Sequence, residues 1–180
     1  MKGLRTPTYP DSPSFPEFDP HITLLTVPDR ESPDLDTLRA AVQQTFQHPI
    51  PIEFKSVEAG CHYFRSVYIA VQPADAILEL HAGIHKALGL EAKTPKFPHV
   101  SLCYIDDGDA QLRAELVKMM ESDGRVVKVD DGVDLKYGPL ETDHIRGFEG
   151  KQIWLMDCNG PVDGWKLLET FILSGVEANM

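Results

Sequence analysis

Basic residues are scarce in this chain: 17 Lys and Arg stand against 28 Asp and Glu, a formal net charge of -11 at pH 7. Proteins that grip long nucleic acids by the backbone carry a basic face that releases counterions, so this balance speaks against a long RNA or DNA partner. It leaves room for a small phosphorylated ligand. A few aimed donors outweigh a distant surface field that salt screens beyond about 8 Å. Cysteine is also sparse. Cys61, Cys103 and Cys158 are odd in number and far apart, which excludes a disulfide framework and a C-x-x-C zinc spacing and points to a reducing compartment, the cytoplasm. No apolar run approaches the roughly 18 residues that span a bilayer. Residues 1–15 are rich in Pro, Thr and Ser with no apolar centre, so no export signal or membrane partner is expected.

What is present is an ordinary globular composition, 42% hydrophobic and 25% charged over 180 residues, enough for a buried core. Pro7, Pro10, Pro13 and Pro16 recur every three residues, so residues 1–17 are expected to form an irregular, polyproline-like arm before one domain at 18–180. A strand is expected over 22–27, ended by Pro28. A helix with Ser32 or Asp34 as N-cap follows, its stripe being Leu35, Leu38, Val42 and Phe46. Strands 51–58 and 64–71 flank a turn at Ala59 and Gly60. A helix over 74–88 ends at Gly89, and a strand over 99–104 precedes a helix reaching Ser122. Further strands are expected at 125–130, 133–137 and 152–157, and 165–173 is of uncertain type. Short turns between strand pairs indicate an α+β fold with mainly antiparallel sheets.

One pattern occurs twice. Pro20-His21-Ile22-Thr23-Leu24 and Pro98-His99-Val100-Ser101-Leu102 each read Pro, His, β-branched apolar, hydroxyl, Leu, and lie 78 residues apart. In an extended strand His21 and Thr23 share a face, as do His99 and Ser101, each imidazole about 6–7 Å from its hydroxyl. Opening a cyclic phosphodiester needs a base for the attacking water and an acid for the departing oxygen, and two histidines fill both roles. The non-bridging oxygens need donors already in place, which Thr23 and Ser101 supply. Neither a metal nor another cofactor is required.

On these residues the chain resembles the two-histidine phosphoesterases, defined by paired His-x-Thr/Ser-x motifs. Within them the likeness is greatest to the fungal and plant 2′,3′-cyclic nucleotide 3′-phosphodiesterases. It is carried by Phe-Asp-Pro-His-Ile-Thr-Leu at 18–24, Phe-Pro-His-Val-Ser-Leu-Cys-Tyr at 97–104, residues 60–68 and the late strand Gln152-Ile153-Trp154-Leu155. The resemblance implies a bilobal fold, two antiparallel sheets about an approximate twofold with helices outside and a central cleft. It implies hydrolysis of ribonucleoside 2′,3′-cyclic phosphates to 2′-phosphates, and of ADP-ribose 1″,2″-cyclic phosphate, a by-product of tRNA splicing. Tyr104 matches a position that lines the cleft in relatives, Tyr63 is a candidate for stacking a base, and Arg65 for a second phosphate. The chain departs from such relatives in one respect. They begin with an apolar strand carrying an aromatic, whereas here only the Pro-rich arm precedes His21, so either a later segment takes that strand's place or that sheet edge and its ligand contact are lacking.

Other readings fit these residues less well. A nucleotide-binding module without turnover does not need two proton carriers, and RNA end processing or ligation sits badly with the acidic charge. His81 and His85 have a zinc-like spacing, but Ala82 stands where a zincin has its glutamate, so both are expected to face solvent or cap. His62 and His144 are expected in loops. Tyr63, Phe64 and Tyr68 could each stack a base, though aromatics at strand spacing usually pack, and Cys103 is expected to be turned away from His99 and Ser101. The partner expected is one small cyclic nucleotide bound by a monomer.

Overall fold

The structure, a computed structural model, describes residues 14–27, 33–45, 48–94 and 96–175. Among them the order is α1 (Leu35–Gln43), β1 (Ile50–His62), β2 (Arg65–Val71), α2 (Asp75–Ala87), β3 (His99–Cys103), α3 (Gln111–Ser122), β4 (Val126–Val129), β5 (Gly132–Lys136), β6 (His144–Ile145), β7 (Gly147–Gly150), β8 (Gln152–Asp157) and β9 (Lys166–Ile172). The strands join as β3-β2-β1-β7, β4-β5-β6 and β8-β9. The defined registers are antiparallel, so the class is α+β as the pattern predicts. No helix of the described residues is long and apolar enough to cross a membrane.

By internal contacts the chain divides into two compact units. The first holds residues up to Ile22, Glu53–Gln72 and His99–Phe148; the second holds Thr23–Ile52, Pro73–Pro98 and the chain from Glu149. In the first, β2 buries Val67, Ile69 and Val71, and α3 packs on β2 with Leu116 and Met120 buried. Each such aliphatic side chain contributes roughly 1.5–3 kcal/mol by leaving water. An exposed pair such as Lys128–Glu121 contributes about 0–1 kcal/mol, so the apolar face holds this unit. Arg113 is a buried charge on α3; it donates to the Ile105 carbonyl at 2.7 Å and pairs with Asp107.

In the second unit Asp34 caps α1, its Oδ1 accepting from the Thr37 amide at 2.7 Å. α1 packs on α2, which buries Ile77, Leu80 and Ile84. Gly89 follows with φ +68°, the left-handed turn that a helix-ending glycine makes without steric cost. Arg39 reaches Glu169 of β9 at 2.5 Å.

Four expectations are corrected. The segment 22–27 is extended but forms one isolated bridge rather than a strand, since β propensity favours extended backbone while a ladder also needs a continuous partner edge. The turn expected at Ala59 and Gly60 lies at Tyr63 and Phe64. Gly60 is inside β1 because a Cβ there would sit 1.9 Å from the Arg65 carbonyl oxygen, a close approach at a register shift. His62 ends β1 and His144 begins β6, so neither is a loop residue. His81 and His85 do not face solvent: they are 6% and 3% exposed. The buried stripe of α2 is wide enough to include both. The 165–173 segment resolves as β9, paired to β8 from Gln152↔Ile172 to Asp157↔Lys166. Residues 1–13 of the arm, Pro28, Ser32 and Phe46 lie outside the described residues.

Candidate active site

The two motif segments meet in the first unit, where Ile22 bridges Val100 in antiparallel sense. These are the apolar middle residues of the two motifs. Val100 lies in β3, so its strand neighbours His99 and Ser101 point to the face opposite its own. The register Ala70↔His99, Tyr68↔Ser101 continues into Ser56↔Ala70, Glu58↔Tyr68. One face of the sheet thus carries Ser56, Glu58, Tyr68, His99 and Ser101, and the other carries Ile69 and Val100, both fully buried. Thr23 is half-buried and opens the second unit.

Cys103 is turned away from this face, though not by simple alternation, which over two residues would keep it beside Ser101. Tyr68↔Ser101 is followed by Val67↔Cys103, one step on β2 against two on β3. Successive residues Tyr68 and Val67 point oppositely, so this bulge sends Cys103 to the core face, where it is buried.

His21 is positioned through the end of the arm. Ser14 Oγ accepts from the Asp106 amide and donates to Asp109, and the Phe15 amide donates to the Tyr104 carbonyl at 2.7 Å. This anchors Phe18, whose ring stacks on Tyr104 at 4.1 Å and meets His21 edge-on at 6.1 Å. The imidazole then donates from Nδ1 to the Asp19 carbonyl at 2.7 Å. Tyr104 is itself 3% exposed, with Tyr63 at 5.6 Å and Phe64 at 5.5 Å. Phe64 is exposed, Tyr63 half-buried, and both lie in the β1–β2 turn. Ser101 Oγ donates to the Phe64 carbonyl at 3.2 Å.

Beside His99 stands Tyr68, ring to ring at 5.3 Å and 68°. Its hydroxyl donates to Glu58 Oε2 at 2.6 Å, and Ser56 Oγ donates to Oε1 at 2.8 Å. Burial, then the Glu58 carboxylate, push the Tyr68 phenol up to about 12, against the opposing charge of Arg65, which begins β2 opposite His62. Sequence reasoning missed Phe18, Ser56 and Glu58. The signal for the last two was the break in apolar alternation after Ile50, Ile52 and Phe54, where a shift between Phe54 and Ser56 turns the following residues to the histidine face.

In the second unit, His81 lies against Phe97 at 4.0 Å and shares a hydrogen bond of 2.8 Å between Nε2 and Thr94 Oγ1, while His85 donates from Nδ1 to the His81 carbonyl. Among the described residues no group of three or more His, Cys, Asp or Glu is placed to hold a metal ion.

An antiparallel α+β fold that joins two His-apolar-hydroxyl segments is the setting of a cyclic phosphodiesterase, and the chain belongs to the family described as cyclic phosphodiesterase-like protein, which matches residues 3–173. That makes the hydrolase class the class of this chain. It is similar to the 2′,3′-cyclic-nucleotide 3′-phosphodiesterase of Yarrowia lipolytica (strain CLIB 122 / E 150), at 26% identity over 208 aligned positions that cover 93% of this chain and 88% of the relative.

Proposed function

We propose that this protein hydrolyses ribonucleoside 2′,3′-cyclic phosphates to 2′-phosphates without a metal, through His21, Thr23, His99 and Ser101. One imidazole takes a proton from water as the water oxygen bonds to phosphorus. The bond from phosphorus to the 3′ oxygen breaks, and the other imidazole gives that oxygen its proton. The hydroxyl of Thr23, and that of Ser101 once its one hydrogen turns from the Phe64 carbonyl, donate to the non-bridging oxygens, where charge collects in the transition state. The observation that carries this reading is the Ile22–Val100 bridge, which joins the two motifs at their matching residues. The Yarrowia relative, named for this reaction, supports the substrate class.

Tyr63 and the exposed Phe64 suit a nucleobase, with Tyr104 supporting them from below. ADP-ribose 1″,2″-cyclic phosphate, opened to the 1″-phosphate, is the second substrate in this reading, and Arg65 is assigned to its further phosphate. The protein acts as a cytoplasmic monomer on these small nucleotides. Product analysis on 2′,3′-cyclic AMP beside ADP-ribose cyclic phosphate, with EDTA present, tests it. The expected products are a 2′-phosphate and a 1″-phosphate; tight binding without turnover would refute the enzyme reading.

A further inference from the structure

We propose that Tyr68, tethered by Glu58, is a positioning residue for His99: it sets the plane of the imidazole and takes no proton itself. This rests on His99 being catalytic. Tyr68 is 3% exposed, and its ring meets His99 edge to face at 5.3 Å. Its far end is fixed too, because the hydroxyl donates to one oxygen of Glu58 while Ser56 holds the other. A ring pinned at its backbone by pairing with Ser101 and Glu58, and at its hydroxyl by a carboxylate, presents a rigid wall to its neighbour.

Packing alone does not explain the choice. A phenylalanine would fill the same space without desolvating a hydroxyl and a carboxylate, and desolvation is costly unless the paired groups do something in return. The opposite face of the same strands is filled with Val and Ile. The polar network instead adjoins His99 and Ser101. The hydroxyl hydrogen is already donated to Glu58 and burial holds the phenol above its ordinary value, so Tyr68 is a poor proton carrier near neutral pH and orientation is the role left to it.

The test compares H99A, Y68L, Y68F and E58A in the full chain, by steady-state turnover of 2′,3′-cyclic AMP and by the NMR signal of the labelled His99 imidazole, assigned by its loss in H99A. Misplacing a catalytic group by about 1 Å costs about 10²-fold, so Y68L is expected to lose kcat on that order with KM little changed. Y68F keeps the ring and E58A keeps the phenol, so each is expected to retain turnover within about tenfold of wild type, below it, on the same argument. The imidazole signal is expected to broaden strongly in Y68L, which removes the ring, and measurably but less in Y68F, which cuts the tether to Glu58. If H99A turns over normally, the catalytic reading falls while the NMR comparison still reads the tether. If H99A is inactive and Y68L keeps wild-type kcat, or raises KM alone, the positioning role is overturned. Should Y68L fail to fold, Y68F and E58A carry the test, and wild-type kcat in both overturns it.

Discussion

The Nδ1 atom of His21 lies 2.7 Å from the carbonyl oxygen of Asp19, two residues earlier in the chain. A carbonyl only accepts, so Nδ1 carries a hydrogen, and in the proposed mechanism proton exchange with substrate falls to Nε2. His21→Ala and His99→Ala should each lower kcat by about 10²- to 10⁴-fold, the usual worth of one positioned proton transfer. Thr23→Ala and Ser101→Ala should each cost about 2–4 kcal/mol of transition-state stabilisation. Steady-state kinetics, with circular dichroism to confirm folding, check both; wild-type rates in either histidine variant would remove the assignment.

In the proposed mechanism the motif supplies base, acid and oxyanion donors from side chains alone, so chelation has nothing to withdraw. Turnover of 2′,3′-cyclic AMP should be the same after dialysis against EDTA as before. A loss restored by added zinc would point instead to metal chemistry.

Much of this arrangement is legible in the chain itself. The α2 stripe and its glycine stop are local signals, and Ile77, Leu80 and Ile84 are buried as their spacing requires. The echo around His21 and His99 marks the two segments that meet. Pairing geometry is not local. Gly60 reads as a turn residue until the Arg65 carbonyl is known to lie against it, and the bulges that decide which way Cys103 and Ser56 face depend on the partner strand. Burial of His81 depends on Thr94 and Phe97, and helix spacing does not reveal what will cover a flank.

Ser66 is another residue whose role only tertiary contact reveals. It is fully buried, and its Oγ donates toward the Tyr63 carbonyl at 2.7 Å and accepts from the Ile105 amide at 2.9 Å, joining the β1–β2 turn to the chain after the second motif. Ser66→Ala leaves a buried amide without that acceptor, at a cost of about 1–3 kcal/mol. Urea denaturation should show the midpoint fall at unchanged slope. An unaltered midpoint would mean that water or a backbone shift replaces the bond.

His81, one of the two buried histidines of α2, predicts how stability depends on pH. Burial first, and the neighbouring His85 second, hold the His81 imidazole below its ordinary value. In the unfolded chain the same group titrates near pH 6.5, at about the model-peptide value. As pH falls through that value the unfolded chain takes up a proton that the folded protein refuses, so the unfolded state binds more protons and stability drops. The contribution is therefore complete above about pH 6.5 and is lost below it, with a slope of up to about 1.4 kcal/mol per pH unit until the folded group also titrates. Asp34 and Asp123, held low by hydrogen bonds to Thr37 and Arg125, act in the carboxylate range further down. Urea unfolding at pH 7.5 and 5.5 should show a smaller difference in His81→Phe than in the wild type, since phenylalanine keeps a ring against Phe97 and cannot titrate. Equal differences in the two proteins would show that His81 accepts its proton as readily folded as unfolded.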